Sequence, residues 1–312
     1  MKYLKIVFKI IIGILITVLL LFILNYLRLI IDFQTHKNNY QEVFTIPGNT
    51  KNYVPQGMAY DENSNIVLQT SYNADGDVSK LYVTDFKTKK LIKDLNLYRH
   101  NSTIDTRHVG GIATDGKTVW ITSDYLVTEY SLSEILNTDK TFIKSLKDTK
   151  LPIRGDFSYC DGKELWIGDF YLKPFYPVPN DTPLLFNYNL DNLDYNKPQK
   201  IISLPKMIQG MIITDKNEFI FTRSFTYLIR SSLTTYKNVL MKNSDTYNLN
   251  GNKIPYYHFT EKDIISEEKI PTMAEGIFYK DNSIYILFES SSNHYTFAYP
   301  KVNKVLKKVL DN

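Results

Sequence analysis

A short motif returns five times along this chain of 312 residues. Each copy has a polar residue, often next to a glycine, then an apolar strand, a turn with Asp or Asn, and a second strand leaving through polar or aromatic residues. The copies begin near Gln56-Gly57, His108 to Gly111, Asp156-Phe157, Gln209-Gly210 and Glu275-Gly276. With Gly57, Gly111, Phe157, Gly210 and Gly276 as equivalents, the spacings are 54, 46, 53 and 66 residues. β-Branched and aromatic runs joined through Asp115-Gly116, Asp161-Gly162 or Asp281-Asn282 read as hairpins. Further strands follow several of them, at 79–85, 127–132 and 184–190. Units of about 50 residues with about four short strands are the mark of propeller blades. The fold expected is all-β, a five-bladed β-propeller, with six blades as the alternative if one unit is too degenerate to recognise. A β-sandwich would use the same hairpins but would not explain polar residues recurring at the same two positions of each.

Residues 41–46 precede the first repeat and read as a lone strand. Paired with the last blade, it would close the ring and protect two edges at once. Residues 294–299 are expected as another strand of that blade. Beyond Pro300 the period changes. Val302, Val305, Leu306, Val309 and Leu310 fall on one helical stripe, which predicts a short C-terminal helix.

Ahead of the domain, residues 10–27 form an uninterrupted run of 18 uncharged, mostly aliphatic residues. As a helix this run covers about 27 Å, and apolar flanks extend it to a full membrane crossing. Lys2, Lys5 and Lys9 on the short leading side predict an N-terminus inside and the remainder outside. The run is long for a cleaved signal peptide and its exit lacks alternating small residues, so a retained signal-anchor is expected. The expected division is 1–9 cytoplasmic, 10–31 transmembrane, 32–40 a tether, and 41–312 the propeller domain. The lipid bilayer is thus one partner.

The formal charge of +4 belongs to this anchor, since Lys2, Lys5, Lys9 and Arg28 supply all of it. The remainder is neutral and carries no electrostatic footprint for nucleic acid. The single cysteine, Cys160, excludes an intramolecular disulfide and reads as a small buried filler.

Because the two strands of each hairpin are antiparallel, the residue entering the first and the residue leaving the second share one end of the blade. Five such ends would form a polar funnel. Its entering residues are Gln56, His108, Asp156, Gln209 and Glu275. Its leaving residues include Tyr72, Asp124, Asp169, Phe170, Arg223 and Glu289. Charged groups of both signs in one mouth are costly unless paired or used. Long excursions at 97–106 and 172–181 are placed to cover the same face, the second with Phe175 and Tyr176 as an aromatic wall.

Two chemistries suit such a set. Asp124, Asp156, Asp169, Glu275 and Glu289 supply the oxygen ligands that Ca²⁺ takes, provided several converge. Alternatively His108 with Asp124 or Glu275 moves a proton while Arg223 steadies an anion. Zinc is disfavoured by scattered histidines, and no phosphate loop, nucleophile elbow or His-Glu-x-x-His helix occurs. The function expected is a membrane-anchored extracytoplasmic module binding a small molecule, glycan or peptide in the funnel. The alternatives are an enzyme of acyl-transfer, lyase or hydrolase type, and a scaffold for another envelope protein.

The first repeat, with Gln56-Gly57-Met58, then Ser71, Gly76, Ser79 and Asp85, resembles the opening of the plant-type glutamine cyclotransferases, five-bladed propellers that cyclise N-terminal glutamine. The likeness spans about 35 residues and implies the fold more than the reaction. Where that family has a Glu-Ser-Thr-Gly segment, this chain has Gln69-Thr70-Ser71-Tyr72, so the carboxylate is missing. More loosely, the repeats are similar to those of secreted and membrane-anchored bacterial propellers, and the Ile-, Asn-, Lys- and Tyr-rich composition suits an AT-rich bacterium.

Overall fold

The computed structural model describes residues 2–49 and 52–310. The first residue of the expected cytoplasmic segment and residues 50–51 and 311–312 of the expected propeller domain lie outside the described residues. The strands form five sheets arranged as the blades of a β-propeller. Blade 1 holds Tyr53–Asp61, Ile66–Asn73, Lys80–Asp85 and Leu91–Tyr98; blade 2 holds Gly111–Thr114, Thr118–Ser123, Leu126–Ser131 and Lys147–Lys150. Blade 3 begins with Phe157–Cys160, Glu164–Gly168, Leu184–Asn189 and Lys200–Ser203, and blade 4 with Ile208–Ile213, Phe219–Arg223, Ser231–Tyr236 and Ile264–Ile270. Blade 5 combines Ala274–Lys280, Ser283–Phe288 and Lys304–Val309 with Gln41–Thr45 from the other end of the domain.

Local chemistry explains the hairpins. Each turn between a blade's first two strands carries Asn or Gly at positive φ: Asn65, Gly116, Gly162, Asn217 and Asn282. These residues enter the left-handed region at least cost. Each sheet is then buried on both faces, so the alternation along a strand serves two cores. In blade 4, Phe219 and Phe221 pack towards blade 3 while Ile220 packs towards blade 5. Five such inter-blade cores run around the ring.

Two insertions guard outer edges. Phe142–Lys144 pairs in parallel with Leu91–Tyr98 of blade 1. The hairpin Asp245–Leu249 with Asn252–His258 leaves blade 4 and pairs in parallel with Lys200–Ser203 of blade 3. That loan accounts for the longest of the four repeat spacings.

Ring closure follows the expected route. Gln41 stands opposite Lys307 and Thr45 opposite Lys304 in an antiparallel ladder. The predicted C-terminal helix is corrected here, because Lys304–Val309 is a strand. Val302, Val305 and Leu306 are buried between blades, and the ladder with both Ser283–Phe288 and Gln41–Thr45 overrides the helical stripe. Residues 294–299 are likewise a chain of turns rather than a strand.

The N-terminal segment is one helix, Lys2–His36, followed by a 3₁₀ turn at Lys37–Asn39. It is long and apolar enough to cross a membrane. At 1.5 Å per residue it spans about 52 Å, against about 30 Å of hydrocarbon. The supposed tether is thus a helical extension, and it docks on the propeller. Asn25 Nδ2 donates to the Leu228 carbonyl at 2.9 Å, Arg230 Nη1 lies 2.6 Å from Asp32 Oδ2, and Tyr26 and Phe33 stand edge-on to Tyr299.

Candidate functional site

Glycines let the innermost strands meet around the axis. A Cβ on Gly276 would stand 2.4 Å from the Met58 amide nitrogen, and one on Gly110 only 2.2 Å from the Asp156 carbonyl oxygen. In three blades the strand bulges at this point. Pro55 pairs with Ser71 and Met58 with Gln69; Ala274 pairs with Phe288 and Ile277 with Ile286; Ile208 pairs with Arg223 and Gly210 with Thr222. The extra residues are Gln56-Gly57, Glu275-Gly276 and Gln209. A bulge re-aims its side chain, and here it directs polar groups to the mouth.

The mouth contains a cavity of about 130 Å³. Of the predicted funnel residues, Gln56, Tyr72, His108, Asp156, Phe170, Gln209 and Glu289 line it. Sequence reasoning overlooked Arg154, Ser123 and Tyr295, which also line it. Four predicted residues stand elsewhere. Asp124 forms the exposed two-residue turn with Tyr125, both at positive φ, and makes no hydrogen bond to His108. Asp169 is buried, accepting from the Arg154 and Gly155 amides at 2.7 and 3.3 Å. Arg223 Nε donates to the Lys206 carbonyl at 3.0 Å. Glu275 is buried close enough to Glu289 to be affected by its charge. The excursion at 97–106 folds back on itself, with Asp105 N donating to the Leu97 carbonyl, and does not line the mouth. That at 172–181 does reach it, through Tyr176.

Two electrostatic halves result. On one side Arg154 grips Asp156 at 3.1 Å, Asp156 accepts from the Phe170 amide at 2.8 Å, and the guanidinium faces the Tyr176 ring at 5.9 Å. Burial raises Asp156 despite this pairing. It also lifts Asp169 to about 7, with the Asp156 charge adding. On the other side Gln56 Nε2 donates to Glu289. Burial lifts Glu289 to about 7, with Gln56 and Tyr295 opposing. Glu275 is raised well above the carboxylate range by burial first and the Glu289 charge second. Among the described residues neither of these two carboxyls has an ion-pair partner. Between the halves, Tyr72 stands edge-on to His108 with centroids 4.1 Å apart, and its hydroxyl lies 3.5 Å from that of Tyr295. His108 is reachable from the mouth but crowded by protein on its other sides. Desolvation brings it to about 4, with Asp124 opposing and Arg154 assisting, so the imidazole is neutral at pH 7.

The other end of the axis is wider, with a cavity of about 490 Å³. Its aspartates are occupied by the fold: Asp61 accepts from the Ser64 amide, Asp115 from Lys117 and Thr118, and Asp161 from Lys163 and Glu164. On the outer edge of blade 3, Ser203 Oγ lies 2.9 Å from His258 Nδ1, and His258 Nε2 lies 3.1 Å from Asp245. This exposed row staples the inserted hairpin to its host blade. Among the described residues no group of three His, Cys, Asp or Glu is arranged to hold a metal ion. Of the five carboxylates considered for Ca²⁺, Asp156 and Glu289 line the mouth, whereas Asp124, Asp169 and Glu275 do not. Cys160 packs beside the core between blades 2 and 3, and burial pushes its thiol up to about 12.

No family model and no curated protein matches the chain. Among solved structures it is similar to the glutaminyl cyclase of Myxococcus xanthus, at 10% identity and TM-score 0.49, covering 87% of this chain and 97% of that one. It is also similar to the PQQ-bound aldose sugar dehydrogenase of Streptomyces coelicolor, at 11% identity and TM-score 0.46, covering 86% and 96%. A third similarity is to the hydrazine synthase of Kuenenia stuttgartiensis, at 10% identity and TM-score 0.41, covering 77% and 58%. Likeness at this level decides nothing about chemistry. The chain is a five-bladed β-propeller on its own sheet order and register, carried behind one membrane-spanning helix.

Proposed function

We propose that this chain is an extracytoplasmic binding module, held by its N-terminal helix, whose mouth takes a small molecule or peptide end bearing a primary amine. The observation that carries this reading is the Glu275–Glu289 pair, a buried carboxyl beside a half-buried one that lines the mouth, neither with an ion-pair partner among the described residues. Buried charge is tolerated when paired. An ammonium group supplies the missing partner, and Gln56, Tyr72 and Tyr295 offer hydrogen bonds around it. Arg154 cannot play that part while Asp156 holds it. The volume of about 130 Å³ is below the roughly 300–1,000 Å³ of sites that swallow a drug-sized ligand whole, and suits one small group. Phe170, Tyr176 and Phe225 form an apolar wall beside it.

A second reading, acid–base catalysis, is favoured by Glu289 alone. A carboxyl near pH 7 can give or take a proton at neutral pH. Substrate turnover separates the two readings.

The test is calorimetric titration of the full chain in nanodiscs with a panel of primary amines and short peptides with free amino termini. Binding should strengthen as pH rises through about 7, because Glu289 ionises. A hydrogen bond to a charged group contributes roughly 1.5–3 kcal/mol, so E289Q should weaken binding about tenfold to a hundredfold. Binding of no amine on the panel, or unchanged affinity in the E275Q/E289Q double variant, would refute the assignment.

A further inference from the structure

The helix fixes which face of the propeller looks at the membrane. Leu24 and Leu27, within the 18-residue apolar run, line a groove together with Leu228 and Ile229. That loop, joining the second and third strands of blade 4, belongs to the mouth face. One turn further along the helix, Asp32 meets Arg230 at 2.6 Å. Asn25, near the end of the apolar run, already donates to the Leu228 carbonyl, and the ion pair lies just past the run. The mouth face thus sits at the level where the run ends.

The surface of this face agrees. Six aromatic side chains of the propeller are exposed among the described residues: Tyr125, Phe142, Phe175, Tyr176, Phe225 and Phe297. All but Phe142 lie on mouth-face loops. Phe175 is 68% exposed, Phe225 45% and Phe297 69%, and neighbouring Ile229 is 64% exposed. Phe175 and Phe225, from different blades, stack with centroids 6.2 Å apart. Such side chains cost free energy in water and favour the headgroup layer. The opposite face has exposed Met241, at 86%, but no aromatic of this kind.

We propose that the mouth face is a second membrane contact: Phe175, Phe225, Ile229 and Phe297 enter the interfacial layer of the bilayer that the helix spans, and the cavity opens onto lipid headgroups. The occupant of this apolar rim is the lipid surface itself, because the rim continues an interface that the helix has already begun. The inference does not depend on what the cavity binds.

The experiment uses the full chain in phosphatidylcholine vesicles with brominated acyl chains, which quench nearby tryptophan. The native Trp120 and Trp166 are buried in the blades, at 3% and 1% exposure, and give a constant background. The reporters F225W, I229W, F297W and M241W all sit at exposed positions. Rim residues lying about 5–10 Å deep should lose about half of their added emission, while M241W should lose none. Emission at 225 and 297 no more quenched than at 241 would overturn the proposal. So would quenching confined to I229W, which would show that only the loop beside the helix touches lipid. Equal quenching at every position would overturn it as well, since the protein would then have no preferred face.

Discussion

Glu275 and Glu289 flank a single ladder pair, Ala274 with Phe288, and so both lie at the mouth end of blade 5, close enough for the Glu289 charge to act on Glu275. Glu289 is lifted by burial to about 7 and Glu275 by burial and the Glu289 charge. A carboxyl whose pKa is raised on folding stabilises the protein while protonated. That contribution is complete below the unfolded value and is lost as pH rises through the folded one. His108, lowered to about 4, has the opposite sign, and its contribution fades as pH falls from about 6.5. The two oppose each other below about pH 6.5. Above it Glu289 is unopposed, so the decline that begins near pH 4.5 should continue to about pH 7, where Glu289 ionises in the folded protein. E289Q keeps an acceptor for Gln56 and removes one titration, so it should be more stable than the parent at pH 8 and flatten the decline. Urea unfolding at three pH values measures this, and a variant weaker than the parent at pH 8 would contradict it.

Deleting residues 41–46 should lower the stability of all five blades together. The segment contributes Phe44 and Ile46, both buried between blades 5 and 1. Emptying large core sites of this kind costs about 3–5 kcal/mol each. Deleting residues 1–36 removes Leu29, the Tyr26 and Phe33 contacts with Tyr299, the Asn25 hydrogen bond and a partly exposed ion pair, but empties no site in the cores between blades. Unfolding midpoints of the two truncations should therefore differ clearly; equal midpoints would be incompatible with closure by this strand.

Gly276→Ala places a methyl group 2.4 Å from a backbone nitrogen of the neighbouring blade. No side chain can rotate away, so the inner strands must separate, at a cost of about 3 kcal/mol. Gly13→Ala meets nothing within 4 Å and should leave the propeller unchanged. Thermal denaturation of both variants checks the contrast, and a Gly276→Ala protein melting with the parent would show that the ring has slack at its axis.

The blades were legible because a hairpin is local. Asn65, Gly116, Gly162, Asn217 and Asn282 mark the turns, and alternation marks the strands between them. The mouth was legible for the same reason, since antiparallel pairing brings Gln56 and Tyr72, or Glu275 and Glu289, to one end by geometry. Arg154 was not, because it precedes its hairpin and is recruited by Asp156 two residues on; the run Arg154-Gly155-Asp156 was the available signal. Tyr295 was hidden by an aromatic stretch that imitates a strand. The terminal strand Lys304–Val309 was misread because its apolar spacing also fits a helix, and only partners far along the chain decide between them. The docking of the helix lay beyond the sequence for a similar reason, as Asp32 and Arg230 are brought together by the finished ring.

The ladder between Gln41 and Lys307 also sets a timetable. The strand that closes the ring is the first piece of the propeller to be synthesised, and its partner is the last, about 270 residues later. At about 5–20 residues per second the early strand waits roughly 13–54 s with its edge unpaired. Blades 1 to 4 can form as their residues appear, but blade 5 must wait for Lys304–Val309. Any factor that shelters unpaired edges during synthesis would therefore act on residues 41–46, and on them for longer than on any other part of the domain.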